Sequence, residues 1–147
     1  MTAIIFTGIQ ASGKSTYYAK NFSGIPCVSL DIVKTRKKEQ RLIAQLAADG
    51  SDMVIDNTNP TAADRARYIP MLKGMGYEIV GYYFRSEIAK CIERNMTRPE
   101  SKRIPDKAVA ATFNKLELPS LSEGYDKLYY VRMENDGFVT EEWQNEI

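Results

Sequence analysis

The residues Gly8-Ile9-Gln10-Ala11-Ser12-Gly13-Lys14-Ser15-Thr16 combine the chemical types that hold a polyphosphate, and they fit the pattern G-x-x-x-x-G-K-[ST] at every fixed position. Glycines let backbone N–H groups close around phosphate oxygens, and a following helix turns its N-terminus toward the anion. On this reading Gly8 and Gly13 shape the cradle and Lys14 reaches the β- and γ-phosphates of a nucleoside triphosphate. The Ser15 hydroxyl ligates Mg²⁺ and Thr16 helps with the α-phosphate. An ordinary glycine turn before a helix would leave the burial-averse Lys14 unexplained.

The chain contains no histidine. That removes Ser-His-Asp and Cys-His nucleophile systems, histidine metal sites and histidine bases together, so any base acting at neutral pH is a carboxylate. Asp31 follows the second predicted strand, where an acceptor hydroxyl would arrive beside the phosphate loop; the alternative for it is a helix N-cap. Asp56 opens Asp56-Asn57-Thr58-Asn59-Pro60 after the third strand, a place for a carboxylate that orders Mg²⁺, with turn chemistry as the alternative. Lys34, Arg36, Lys37, Lys38 and Arg41 form a basic run, of which Lys37, Lys38 and Arg41 read as a solvated face. Lys90, Arg94 and Arg98 fall at i, i+4 and i+8, one basic stripe that either serves an anion or is absorbed by Glu87 and Glu93. Pro99 to Ile104 has the polar, basic composition of a flexible flap.

Composition narrows the class. The net charge of +1 over 147 residues rules out a broad nucleic-acid coat, and the two cysteines, Cys27 and Cys91, read as small buried apolar residues rather than a disulfide framework or zinc set. No apolar stretch of about 18 residues or secretory leader is present, which predicts a cytoplasmic, intracellular chain without a membrane partner. The length predicts one domain over 1–147, with a short acidic C-terminal segment at 134–147, and a second activity would require another polypeptide.

To position these residues the chain must alternate strands and helices. Strands are predicted near 2–7, 26–30, 52–56, 77–84 and 127–133, and helices near 14–22, 32–48, 61–75, 86–97 and 106–117. That alternation predicts an α/β fold, a five-stranded parallel sheet with helices on both faces and the site at the strands' carboxyl ends. The apolar stripes predicted to face the core are Leu42, Ile43, Leu46 and Ala47; Ala62, Ala66, Ile69 and Leu72; Ile88, Ile92 and Met96; and Val109, Phe113 and Leu116. Pro70 is expected to bend its helix. Val139, Trp143 and Ile147 recur every fourth residue, suggesting a short terminal helix.

From Ile4 to Val131 the chain resembles the kinase domain of polynucleotide 5′-hydroxyl kinases, the nucleic-acid end-healing enzymes. Beyond the phosphate loop the resemblance rests on Val54-Ile55-Asp56-Asn57-Thr58-Asn59-Pro60 followed by Arg65-Ala66-Arg67-Tyr68. It continues in Arg94-Asn95-Met96-Thr97-Arg98, Ile104-Pro105, Leu118-Pro119 and Glu123-Gly124-Tyr125. It implies an adenylate-kinase-like P-loop kinase fold, ATP with Mg²⁺ as phosphoryl donor, and the 5′-hydroxyl end of DNA or RNA as acceptor. By position Lys14 and Ser15 match the family's phosphate and metal contacts, Asp31 its general base, Arg98 its lid arginine with Arg94 one turn behind, and Thr58 a contact to the acceptor's phosphate. Some members grip that phosphate with an arginine three residues after the base; here Lys34 stands there, and Arg36 is the substitute. Asp56 varies in register among members. Many relatives carry a phosphatase or ligase domain on the same chain; this sequence has no room for either, which implies a separate phosphatase or ligase partner.

Overall fold

The computed structural model describes residues 1–135 and 137–144. One six-stranded sheet runs β2-β3-β1-β4-β5-β6. Its strands are β1 (Thr2–Thr7), β2 (Cys27–Val28), β3 (Met53–Ile55), β4 (Glu78–Phe84), β5 (Lys127–Glu134) and β6 (Gly137–Glu142). The first five are mutually parallel and β6 returns antiparallel to β5. The helices are α1 (Lys14–Asn21), α2 (Leu30–Val33), α3 (Arg36–Ala48), α4 (Ala62–Ala66), α5 (Ile69–Gly74), α6 (Ile88–Met96) and α7 (Asp106–Lys115).

Strand side chains alternate between faces, so β1 feeds two cores at once. Ala3 and Ile5 join Ile55, Ile79 and Leu128 against Ile43, Tyr68, Ile69 and Leu72 on one face. On the other, Ile4 and Phe6 join Val54, Val80 and Val131 against Tyr17 of α1. A smaller cluster of Ile9, Ala11, Cys91 and Val109 packs the phosphate loop onto α6 and α7.

The prediction of five strands and a terminal helix is corrected by β6. Glu134 pairs with Gly137, and Asn135 stands at φ 50°, the left-handed backbone a tight hairpin favours. Trp143 packs edge-on against Tyr83 with centroids 5.7 Å apart. Ile147 lies outside the described residues. The predicted helix 32–48 is two helices. Lys34 caps α2 at φ 74°, and the Thr35 side chain accepts from Lys38 N to start α3. The predicted helix 61–75 likewise parts rather than bends, because Pro70 sits in the first turn of α5, where its missing N–H costs nothing.

Three residues predicted for the core are exposed: Ala66, Met96 and Phe113. In α4 the buried position is Arg65 instead, because its guanidinium is paired with the Glu123 carboxylate. Cys91 is buried as predicted, whereas Cys27 is only half-buried.

Candidate active site

The phosphate loop joins the central strand β1 to α1, and its backbone is tied down on several sides. Gly8 N donates to Thr58 O (3.0 Å), fixing the loop to the exit of β3. Ile9 N donates to Ser86 Oγ (3.1 Å) at the exit of β4. Gln10 Nε2 reaches Thr112 Oγ1 on α7 (3.0 Å), and Arg94 Nε reaches Ala11 O from α6 (2.7 Å). Ala11 and Gly13 adopt left-handed backbone, φ 62° and 103°, a conformation found in the backbone nests that hold anions. A Cβ on Gly8 would stand 2.6 Å from Ser12 Oγ and 2.9 Å from Phe84 Cβ, so only glycine fits there.

Lys14 lies buried across this loop, its Nζ donating to Gly8 O (2.8 Å) and Ile9 O (2.9 Å). Burial lowers its pKa from the ordinary 10.5 to about 8, against the opposing pull of Asp56. Asp56, at the carboxyl end of β3, has its pKa raised, first by burial and in opposition to Lys14. Ser15 Oγ donates to Asp56 Oδ2 at 3.3 Å, so a hydroxyl and a carboxylate stand side by side at the mouth of the loop.

In front of them opens a cavity of about 390 Å³. Its wall brings together Gly13, Lys14, Ser15, Thr16, Asp31, Arg36, Asp56, Thr58 and Arg98 from the sequence reading. It leaves out Gly8, Arg94 and Lys34. Gly8 begins the loop beneath the wall. Arg94 spends its guanidinium on Ala11 O and Cys91 Sγ, a brace for the loop from behind. Lys34 stands exposed at the helix break, so of the two cations considered for the acceptor side it is Arg36 that faces the cavity. The stripe Lys90, Arg94, Arg98 therefore serves no single anion: Lys90 pairs with Glu87 (3.0 Å), and of the three only Arg98 joins the cavity.

Residues 34–119, more than half of the chain, match the family described as AAA domain. The chain belongs to the AAA domain family. The matched stretch of this AAA domain begins beyond the phosphate loop, so the loop's sequence and geometry stand as independent observations. The chain is 26% identical over 127 residues to the bifunctional polynucleotide phosphatase/kinase of Schizosaccharomyces pombe, covering 83% of this chain and 31% of that protein. It is 28% identical over 135 residues to a protein of Acanthamoeba polyphaga mimivirus with the same bifunctional activity in its provisional name, covering 85% and 32%. The AAA domain chain thus spans about a third of the length of the curated relatives it matches. Among solved structures it superposes on a gluconokinase from Sinorhizobium meliloti 1021 with a TM-score of 0.60 at 18% identity, over 89% of this chain and 82% of the other. The molecule is a nucleotide-binding P-loop protein of the α/β kinase fold. Among the described residues no helix is long and apolar enough to cross a membrane.

Within this AAA domain, Asp31 occupies the second turn position of α2, and the helix cap is Ser29, whose Oγ accepts from Asp31 N (3.2 Å). The carboxylate is therefore not spent on capping and lines the cavity. Several residues that hold the site together were given no site role from the sequence. Asn57 Oδ1 accepts from Leu30 N (2.9 Å), and Asn59 Nδ2 donates to Phe6 O (2.9 Å). Arg65, fully buried, donates from Nε and Nη2 to the Glu123 carboxylate (2.7 and 3.1 Å) and from Nη1 to Asn59 O (3.0 Å). The signal for Arg65 was present in the first turn after a buried strand exit, but its partner lies 58 residues away.

Proposed function

We propose that the protein is an ATP- and Mg²⁺-dependent polynucleotide 5′-hydroxyl kinase, moving the γ-phosphate of ATP to the 5′-hydroxyl end of DNA or RNA. The observation that carries the reading is the single cavity shared by the Lys14–Ser15 end of the phosphate loop and by Asp31, Arg36, Thr58 and Arg98. The names of both curated relatives point to the same acceptor class.

The loop's residues fit a nucleotide polyphosphate. Ala11 and Gly13 hold the left-handed backbone of anion-binding nests, and the buried Lys14 ammonium, its pKa pulled down to about 8, is a charge that an anion would satisfy. The adjacent Ser15 hydroxyl and Asp56 carboxylate suit Mg²⁺, which takes one or two protein oxygens and keeps its waters. Bound Mg²⁺ would neutralise charge on the phosphates during transfer. Lys14 and Arg98 add positive charge on the protein side of the moving group, and Asp31 takes the proton from the acceptor's hydroxyl as its oxygen attacks phosphorus. Arg36 and Thr58 hold the acceptor's phosphate and fix that oxygen in line.

The decisive experiment offers labelled ATP to the protein with a 5′-hydroxyl oligonucleotide, a nucleoside 3′-monophosphate, and small alcohols including gluconate. Label on the first two acceptors supports the reading. Label on a small alcohol alone would replace it with metabolite kinase activity.

A further inference from the structure

Between α3 and the exit of β3 lies a buried polar cluster that touches neither the phosphate loop nor the cavity's donor side. Glu39, 1% exposed, is its centre. Its carboxylate accepts from Arg36 Nη1 (3.0 Å), from Asn57 Nδ2 (3.0 Å) and from Tyr68 Oη (3.1 and 3.0 Å to its two oxygens). Arg36 Nη1 also donates to Tyr68 Oη (2.7 Å), and Asn57 Nδ2 also reaches Tyr68 Oη (3.1 Å). The far end of Asn57 points the other way: its Oδ1 accepts from Leu30 N, the first residue of the helix that bears Asp31. A buried carboxylate costs several kcal/mol unless every lone pair is used, so a cluster this enclosed is kept rigid by its own electrostatics.

We propose that Glu39, with Tyr68 and Asn57, is the positioning device of the acceptor side, setting the span between Asp31 and the Arg36 guanidinium. Glu39 holds one nitrogen of Arg36, which leaves the other edge of the fork for a phosphate. Through Asn57 the same carboxylate anchors the start of the four-residue helix α2, which is too short to hold Asp31 in place unaided. The two arms meet on the Glu39 carboxylate, so the distance from base to phosphate grip is set by a buried group that does not line the cavity. The acceptor selected by such a device carries a hydroxyl and a phosphate at one fixed separation, as a nucleotide unit does. A simple alcohol uses only the Asp31 arm.

This inference rests on the 5′-hydroxyl kinase reading, and its test separates the two. Steady-state kinetics are measured for the wild type, Glu39→Gln, Tyr68→Phe, Arg36→Ala and the double variant Glu39→Gln/Arg36→Ala, with a nucleoside 3′-monophosphate as acceptor. ADP affinity is measured by calorimetry alongside. Glu39→Gln should raise the acceptor KM about tenfold and lower kcat severalfold, and Tyr68→Phe, which keeps the ring and the fold, should raise KM about threefold. ADP affinity should stay within about twofold for both. In the Arg36→Ala background Glu39→Gln should no longer change KM while still lowering kcat through the Asn57 arm. KM and kcat within twofold of wild type in both single variants, or KM effects of Glu39→Gln and Arg36→Ala that simply multiply, would overturn the positioning role alone. A wild type that phosphorylates no 5′-hydroxyl acceptor would overturn the function reading and this inference with it.

Discussion

Replacing Lys14 with methionine separates what its charge does for catalysis from what its burial costs the fold. The Lys14 side chain is buried, with its ammonium on Gly8 O and Ile9 O. Bringing its pKa from 10.5 to about 8 corresponds to about 3 kcal/mol against the folded state at about 1.4 kcal/mol per pH unit. Methionine relieves that cost but leaves two carbonyls without a donor, about 1 kcal/mol each. At pH 7 the variant should therefore be more stable by about 1 kcal/mol, a rise in Tm of ~3 °C at this chain length.

The pH dependence is the sharper test. Between pH 8 and 10.5 the unfolded lysine is still protonated while the folded one is losing its proton, so the unfolded chain binds more protons and wild-type stability rises with pH through that window. Groups that do not feel the Lys14 charge cancel in the difference between wild type and variant, whereas Asp56 and Cys91, which do feel it, contribute to that difference. Urea unfolding at pH 7, 8, 9 and 10 should show the wild type gaining on Lys14→Met, with the order of stability reversing near pH 9. Phosphoryl transfer should fall by about 10³-fold at pH 7, and by less as the wild-type lysine itself loses its proton above pH 8. A difference that stays flat across the window, or a variant less stable by 2 kcal/mol or more at pH 7, would refute the argument that Lys14 is a strained buried charge awaiting an anion.

Three further outcomes follow from the same geometry. Nucleotide binding should restore the Lys14 charge, so calorimetry at pH 8 in buffers of different ionisation enthalpy should register an uptake of about half a proton, absent in Lys14→Met. Asp31→Asn should lower kcat by about 10²-fold or more with Tm within about 1 °C, since Ser29 rather than Asp31 caps α2; near-normal turnover would return Asp31 to the fold. Arg65→Met should cost about 3 kcal/mol in urea unfolding, because it strands the mostly buried Glu123 carboxylate and frees Asn59 O.

How far the sequence is legible depends on whether a residue's role is set by its neighbours in the chain or by distant ones. The place of the phosphate loop between β1 and α1 was legible because the motif's spacing marks it locally, whereas the contacts from Thr58, Ser86, Thr112 and Arg94 that hold it are distant in the chain. The terminal strand differs from the predicted helix for an instructive reason: a repeat of four is an even number, so Val139 and Trp143 share a face in a strand as well as in a helix, and the turn-forming residue types of the sequence Asn135-Asp136-Gly137 are the signal that decides between them. The helix break at Lys34 had its own local sign, Thr35 as a cap for Lys38 N. Glu39 looked like one acid diluting a basic run, and nothing local to it shows that Tyr68 and Asn57 close over its carboxylate.

What the local patterns lack is supplied by strand order. Because β1 lies between β3 and β4, the loops leaving both neighbours flank the phosphate loop, and each accepts one hydrogen bond from it: Thr58 O from Gly8 N, Ser86 Oγ from Ile9 N. Register then sets the chemistry. With Ile55 opposite Ile5, the carboxylate of Asp56 emerges beside the end of β1 and reaches Ser15 across the loop. A slip of one residue between β1 and β3 would turn Val54 and Ile55 to the wrong cores and rotate Asp56 away from Ser15. The hydroxyl–carboxylate pair is therefore specified by the apolar alternation of two buried strands as much as by the motif that contains the serine.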